Sequence, residues 1–275
     1  MSRNILAFVV AGSLLSLTAI APATAQEHDN PVPPRQKWSF SGPFGTYDRG
    51  QLQRGLKVYR EVCAVCHGLK MVAFRNLEDL GYSEAQVKAI AAEYKIQDGP
   101  NDQGEMFERA GRAADYFPTP WPNENAARAR YNGVPPDFSV LAKARGYERG
   151  FPWFVFDMFT QFQEQGVDYI HALMTGYEEK SPAGVTLPAG NFYNKYFPGH
   201  ALAMPPPLTD KRVDYTDGSP TTVDQYSKDV AAFMMWAAEP HLEARKRVGF
   251  QVMIFLIVFA GLLYFTKKKV WANAH

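Results

Sequence analysis

The sequence predicts a mainly α-helical chain with long loops and one C-terminal transmembrane helix. Helical periodicity is clear before residue 62 and after residue 222, whereas 20 Pro and 21 Gly among 275 residues indicate long connections. An uncharged apolar run near the C-terminus is long enough to cross a bilayer. With 46% hydrophobic residues the chain is too apolar to be disordered. No internal repeat is visible, which excludes solenoids and propellers.

Residues 1–25 are predicted to form a secretory signal peptide. Arg3 supplies the positive start, Ile5 to Ile20 is an apolar run, and Ala23-Thr24-Ala25 is a small-residue cleavage site. A membrane helix is the alternative, but the run is short and lacks a stop-transfer flank. We therefore expect cleavage after Ala25 and export of the residues that follow.

Residues 245–267 are predicted to be a transmembrane anchor. Val248 to Thr266 contains no charge, and about 19 residues rising 1.5 Å each give about 28 Å, close to the hydrocarbon thickness of a bilayer. Arg245-Lys246-Arg247 and Lys267-Lys268-Lys269 flank this run. The alternative, a buried core helix, would place those cations in an apolar interior at a high cost.

The predicted topology divides the charge unevenly. Both flanks of the anchor carry three cations, so the orientation is taken from the signal peptide, which places residues 26–244 outside and 268–275 in the cytoplasm. The whole chain has a net charge of +1, which argues against nucleic-acid binding. The exported part has 22 cations and 28 carboxylates, a net charge of −6. A soluble partner that is basic would complement it.

The only two cysteines of the chain lie in Cys63-Ala64-Val65-Cys66-His67. A disulfide here would close a tiny loop and stabilise little, a thioredoxin-like pair requires a βαβ context, and a zinc site requires a fourth ligand nearby. Covalent haem uses all three residues: each thiol adds across one vinyl group, and the imidazole lies below the iron. One motif predicts one haem.

The segment before the motif is predicted to be a helix. Between residues 48 and 62, apolar side chains recur on one face and lead into the motif; they are Leu52, Leu56, Tyr59 and Cys63. Gly55 lies one residue off this face. Because glycine lowers helix propensity, its presence indicates close contact with a second helix.

Met204 is the favoured sixth ligand of the haem iron. It precedes Pro205-Pro206-Pro207, and three prolines make a stiff backbone that presents the thioether with little loss of entropy. His171 and His200 are alternatives that would give two histidine ligands. Of the other methionines, Met71 lies on the proximal side, Met234 and Met235 are predicted to be helix core, and Met106, Met158 and Met174 stay open.

Other segments carry weaker signals. Ser83 to Gln86 is a capping box that opens a short helix. Residues 97–137 read as a long loop with one short helix over 125–130, and 222–238 is predicted to be a helix close to the membrane. Residues 151–162 are densely aromatic, which fits core packing or, alternatively, contact with the membrane or partner subunits.

These residues resemble the cytochrome c1 family, the haem subunit of ubiquinol–cytochrome c reductase, over essentially the whole mature chain. The separate signal peptide and the lack of a cytochrome b portion suggest a bacterial version. The matching segments are RGLKVYREVCAVCHGLK (54–70), GVPPDFSVLAKAR (133–145), DYIHALMTGYEE (168–179), NFYNKYFPGHALAMPPPL (191–208) and DGSPTTVDQYSKDVAAFMMWAAEP (217–240).

The resemblance implies a c-type cytochrome haem domain and a set of site residues. It makes Cys63 and Cys66 the attachment thiols of haem c, and it makes His67 and Met204 the axial metal ligands.

Residues around the haem are implied in the same way. Arg145 and Tyr169 match positions that contact haem propionates, and a carbonyl of Pro135 or Pro136 could orient the His67 ring. Between Arg145 and Tyr169 this chain has a long aromatic insertion where some members have only a few residues.

The resemblance further implies a redox subunit of quinol–cytochrome-c reductase in a bacterial inner membrane, with its haem domain in the periplasm. It would take one electron from the Rieske iron–sulfur subunit and pass it to a soluble or membrane-anchored cytochrome c. The quinol sites would belong to the cytochrome b subunit. Two other classes stay open: a free-standing membrane-anchored cytochrome c, and a haem-based gas sensor with an open sixth site.

Overall fold

Helices dominate the fold, as the sequence predicts. The computed structural model describes residues 31–131, 133–147, 150–160, 162, 164–183 and 185–273. The predicted signal peptide, residues 1–25, lies outside these ranges. The α-helices of the described residues are α1 (Arg49–Glu61), α2 (Glu84–Ala92), α3 (Glu124–Tyr131), α4 (Leu141–Ala144), α5 (Gly150–Thr160), α6 (Gln165–Thr175), α7 (Val223–Ala238) and α8 (Leu242–Val270).

Two small antiparallel hairpins interrupt the helices. Strand β1 (Lys95–Asp98) pairs with β2 (Phe107–Ala110), and β3 (Phe192–Tyr193) pairs with β4 (Ala201–Leu202). The first hairpin lies partly in the segment predicted to be a loop. The prediction missed it because its strands are short and mostly exposed, and therefore lack an apolar alternation. The short helix expected over 125–130 is present as α3.

Side-chain caps explain where three helices begin. The Asp48 carboxylate accepts from the amide of Gln51 at 3.2 Å and opens α1. Ser83 and Gln86 cap each other's main-chain amides at the start of α2, which confirms the capping box. The Thr222 hydroxyl plays the same part for α7.

The core is centred on the contact between α1 and α7. A Cβ atom on Gly55 would lie 2.1 Å from the carbonyl oxygen of Asp229, so only glycine allows the two backbones to approach this closely. This confirms the predicted helix contact. On α7, Phe233 and Trp236 are buried, as are Met234 and Met235, which confirms that these two methionines belong to the core.

Helix α8 contains the whole predicted anchor and is a candidate membrane span by length and composition, with a mean hydropathy of 2.3. Its first residue, Leu242, is buried in the core that α1 and α7 form. The Tyr47 hydroxyl donates to the carbonyls of Met235 and Glu239, and the Glu239 carboxylate pairs with both Lys143 and Arg245. The junction of α7 and α8 is therefore firmly packed.

Helix α5 differs from the core-packing interpretation of the aromatic segment. None of its residues is buried, and only Phe162, beyond its end, enters the interior. The aromatic side chains of α5 thus face outward.

Candidate functional site

The cysteine–histidine motif forms a tight turn at the end of α1. A 3₁₀ turn covers Cys63–Val65, and the amides of Cys66 and His67 both donate to the Cys63 carbonyl, at 3.0 and 2.9 Å. The two thiols are free, with no disulfide between them. The motif therefore presents two separate sulfurs and one imidazole within a single turn.

The His67 ring is held so that one nitrogen is left for a ligand. Its Nδ1 lies 2.8 Å from the carbonyl oxygen of Pro136, and because a carbonyl can only accept, Nδ1 must carry the proton. Burial lowers the pKa of His67, although the same hydrogen bond opposes this. A neutral imidazole protonated on Nδ1 has a free lone pair on Nε2, as a metal ligand requires. Of the two predicted prolines, Pro136 makes this bond.

A second segment, residues 136–139, packs against the His67 ring and the motif. Phe138 stacks on His67 with ring centres 4.4 Å apart, and its amide donates to the Gly68 carbonyl at 2.8 Å. The Asp137 carboxylate accepts from the amides of Lys70 and Ser139, at 3.0 and 2.9 Å. We call the two segments, residues 63–71 and 136–139, the proximal clamp.

Two more side chains bond the backbone of the motif. The Tyr59 hydroxyl donates to the His67 carbonyl at 3.1 Å, and the indole of Trp121 donates to the Cys66 carbonyl at 3.0 Å. Tyr59 is one of the residues predicted to face the motif from α1, so its position confirms that helix face.

The chemistry of the motif fits an attached haem. Burial raises the pKa of the Cys63 thiol to about 12, and Cys66 adds to the shift, so a thiolate is strongly disfavoured there. A thioether carries no charge and is compatible with the same burial. Together with the free Nε2 of His67, the donor set suits a covalently bound haem.

Met204 lies at the end of a second structural unit. The Tyr177 hydroxyl donates to the Met204 carbonyl at 3.1 Å, and the Met204 side chain is half-buried. Strand β4 ends two residues before Met204. The predicted ligand therefore stands between a hairpin and the stiff proline run.

The hairpin before Met204 is organised by one buried amide. Asn194 is fully buried; its side chain donates to the Leu173 carbonyl at 2.7 Å and accepts from the Tyr196 amide at 3.0 Å. Its main-chain amide donates to the His200 carbonyl at 2.9 Å. We call the unit formed by residues 192–204 and Tyr177 the distal loop.

The alternative ligands have different surroundings. His171 is buried, and its Nε2 pairs with the Asp224 carboxylate at 2.9 Å. The His200 ring stacks on Tyr193, and its Nδ1 bonds the Asn194 carbonyl, which leaves its Nε2 available as at His67. Met71, Met106 and Met158 are exposed, while Met174 packs against the core.

Arg145 and Tyr169 are brought together beside the distal loop. Burial raises the pKa of Tyr169 and the nearby Arg145 charge lowers it, so the two side chains interact. Burial raises the pKa of Tyr177, and the nearby Tyr169 adds to the shift. A Cβ atom on Gly166 would lie 2.5 Å from the Arg145 carbonyl, so α6 contacts the end of α4 closely. The structure thus brings Arg145 near Tyr169, and Tyr177, which lies near Tyr169, bonds the Met204 carbonyl.

Sequence reasoning missed the supporting residues. Phe138, Tyr177 and Asn194 lie within the matching segments, but no local pattern distinguishes their roles. A buried asparagine in a polar, aromatic loop is the one weak signal, since a buried amide must find partners within the fold.

Comparison with known proteins agrees with this geometry. A sequence model of the Cytochrome C1 family matches residues 38–274. The chain is 50% identical to cytochrome c1 of Blastochloris viridis, covering 97% of this chain and 96% of that protein. It is 45% identical to the mitochondrial cytochrome c1 haem protein of Kluyveromyces lactis, covering 94% and 82%.

A further relative is longer. The chain is 65% identical to cytochrome b/c1 of Bradyrhizobium diazoefficiens over 98% of its own length but spans only 40% of that relative. The family match and the three relatives agree with the motif and the long apolar helix. The chain therefore belongs to the cytochrome c1 family, whose members carry a covalently bound haem c.

Proposed function

We propose that this chain is the haem-carrying electron-transfer subunit of a cytochrome bc1 complex, a redox subunit of quinol–cytochrome-c reductase. The observation that carries the proposal is the bond between His67 Nδ1 and the Pro136 carbonyl at 2.8 Å, inside a C-x-x-C-H motif. It leaves Nε2 for iron. Bound haem supplies a one-electron couple, and no acid–base or nucleophilic group of this chain is required.

Each predicted site residue has a defined part in this proposal. Cys63 and Cys66 would hold the porphyrin through thioether bonds, and His67 and Met204 would be the iron ligands. The proximal clamp fixes the orientation of the imidazole, so the chain itself would hold the His67 ligand in place.

Other residues are proposed to contact the haem propionates or to orient His67. Arg145 and Tyr169 would donate to the propionates, which need charged or hydroxyl donors when shielded from water. The Pro136 carbonyl would orient His67, and Pro135 directly precedes it.

The partners follow from charge and topology. The electron would arrive from the Rieske iron–sulfur subunit and leave to a soluble or membrane-anchored cytochrome c. The net charge of −6 on residues 26–244 suits a basic acceptor. The quinol sites would lie in the cytochrome b subunit.

We place the haem domain, residues 26–244, in the periplasm, the anchor 245–267 in the bacterial inner membrane, and the tail 268–275 in the cytoplasm.

Purification from membranes in mild detergent tests the assembly. A b-type cytochrome and an iron–sulfur protein should co-purify with this chain in constant ratio. Recovery of the chain alone with its haem, under conditions that keep other membrane complexes whole, would favour the free-standing cytochrome c.

Replacing Met204 with Leu tests the sixth ligand. Leucine keeps size and apolarity, so the packing cost should stay below about 1.5 kcal/mol. Ferrous iron loses more than ferric iron when the thioether is removed, so the midpoint potential should fall and CO should bind. The matched control is Met174→Leu, which makes the same chemical change at a methionine packed against the core.

Three outcomes are distinguishable. A lower potential with CO binding supports Met204, and a lower potential without it indicates capture by a base such as His200. An unchanged potential without CO binding would exclude Met204. Ready CO binding by the unsubstituted ferrous protein would instead indicate a gas sensor.

A further inference from the structure

Helix α5 is an exposed helix that is apolar on nearly every side. Its sequence is GFPWFVFDMFT, with Asp157 as the one charge. Phe151 is 82% exposed, Phe159 80% and Met158 72%. Trp153, Phe154 and Phe156 are each more than half exposed and point in different directions around the helix. A helix that is hydrophobic all round is normally covered by protein or lipid.

The length of α5 excludes a membrane span. Phe151 has a non-helical backbone, so the regular helix covers at most residues 152–160 and extends about 14 Å, less than half the hydrocarbon thickness of a bilayer. Helix α5 can therefore enter only the boundary layer of a membrane.

The C-terminal end of α5 is held by the N-terminal segment that precedes α1. Phe162 is buried, with the Arg35 guanidinium 3.8 Å above its ring. The Phe162 amide donates to the Asp157 carbonyl at 3.0 Å, which ties this ring to α5. Arg35 lies five residues before Phe40, so at most about 18 Å of chain separates the two.

Lys246 marks the level of the membrane surface. It lies two residues before the apolar run, and its Nζ donates to the Phe40 carbonyl at 2.5 Å. Phe44, in the loop that follows Phe40, meets Phe250 of the anchor edge to face at 5.5 Å. The loop and the start of α8 thus lie at one level, and the end of α5 is tied through Phe162 and Arg35 to the segment that leads into this loop.

We propose that α5 lies in the interfacial layer of the lipid bilayer, beside the anchor, as a second membrane contact of this chain. Trp and Phe are the side chains that favour this layer. Because α5 carries no Lys or Arg, its attraction to lipid is apolar, and zwitterionic lipid suffices. The proposal concerns the anchor and α5 and does not depend on the redox partners.

Site-directed spin labelling of the full chain in phosphatidylcholine vesicles tests the position. Phe159→Cys carries the nitroxide on α5. Phe250→Cys, on the anchor, is the reference position in lipid. Met106→Cys, at an exposed methionine in the connection between β1 and β2, is the reference position in water. The unsubstituted chain must take up no label, because both native cysteines are bound to haem; labelling there would contradict haem attachment, not the lipid contact.

The nitroxide at position 159 should be several-fold more accessible to oxygen than to an aqueous nickel chelate, as at position 250, with the opposite preference at position 106. High salt should leave the preference unchanged. Phe154→Cys provides a second label position if Phe159→Cys does not accumulate.

Two results would overturn the proposal. One is a water-like preference at both α5 positions while position 250 reports lipid. The other is a water-like preference in vesicles of this chain that becomes shielded only in the purified complex, which would assign α5 to a protein partner.

Discussion

The proximal clamp and the distal loop hold the two proposed iron ligands in very different ways. His67 is fixed by its ring nitrogen, its ring face, its carbonyl and its amide, through residues of two separate parts of the chain, 59–63 and 136–138. Among the described residues, Met204 is bonded through its carbonyl, to Tyr177. The clamp therefore holds the imidazole itself in place, whereas the distal loop holds the Met204 backbone and leaves the thioether to be positioned by a bond to iron.

The largest effect is expected from Asn194→Ala. This change leaves the Leu173 carbonyl and the Tyr196 amide without their buried partner, at about 1–3 kcal/mol each, so the free energy of unfolding measured in denaturant should fall by about 2–6 kcal/mol. The loosened loop should release Met204 from ferrous haem, which would then bind CO.

The control for Asn194→Ala is Asp137→Ala, which removes two main-chain bonds from the clamp. Asp137→Ala should lower the free energy of unfolding by less than Asn194→Ala does, since Asp137 is partly exposed. CO should stay excluded because Met204 is unchanged. CO binding by the Asp137 variant alone would reverse the comparison.

Asp168 is expected to change the free energy of unfolding by about 1–3 kcal/mol, depending on pH. Burial raises its pKa to about 6, although bonds from the Gln36 amide and the Trp38 indole oppose the shift. Between its ordinary pKa of 3.8 and this value, the folded state holds a proton that the unfolded chain has lost. Stability should therefore fall as pH rises from about 4 to about 6 and then level off.

Denaturation of the Asp168→Asn variant across this range measures the contribution. The amide cannot ionise and keeps one acceptor oxygen, so the decline should flatten. Asp168 lies on α6, which supplies the Leu173 carbonyl to Asn194. An equal decline in the variant would place the titrating group elsewhere.

The smallest effect, and the sharpest comparison, comes from two matched hydroxyl deletions. Tyr59→Phe removes one bond to the His67 carbonyl, and Tyr177→Phe removes one bond to the Met204 carbonyl, both of 3.1 Å. Each should cost about 0.5–1.5 kcal/mol. Redox titration and CO binding should be altered by Tyr177→Phe and unchanged by Tyr59→Phe; equal behaviour would mean that the two sides are equally firm.

Local patterns predicted much of the helical framework. The capping box at Ser83, the close approach at Gly55 and the core positions Met234 and Met235 all follow from spacing and residue type, because the physics involved acts within a few turns. The choice of Pro136 over Pro135 does not, since it depends on a contact between segments 69 residues apart.

Burial of the apolar helices was equally hard to predict. Helices α5 and α7 both contain Trp, Phe and Met, yet α7 is buried and α5 is not. Composition indicates that an apolar helix surface must be shielded from water. Only the three-dimensional structure shows whether residues of this chain shield it. The roles of the site residues themselves stay predictions until the variants above are measured.

The packed junction between α7 and α8 has a mechanical consequence. Leu242, the first residue of α8, is buried, and Tyr47 bonds both Met235 and Glu239 across the connection. The start of the anchor is therefore fixed against the cytochrome core. In the proposed function this junction would keep the cofactor at a constant height above the bilayer. Because electron tunnelling slows steeply with distance, the approach of a mobile partner would then set the moment of each transfer.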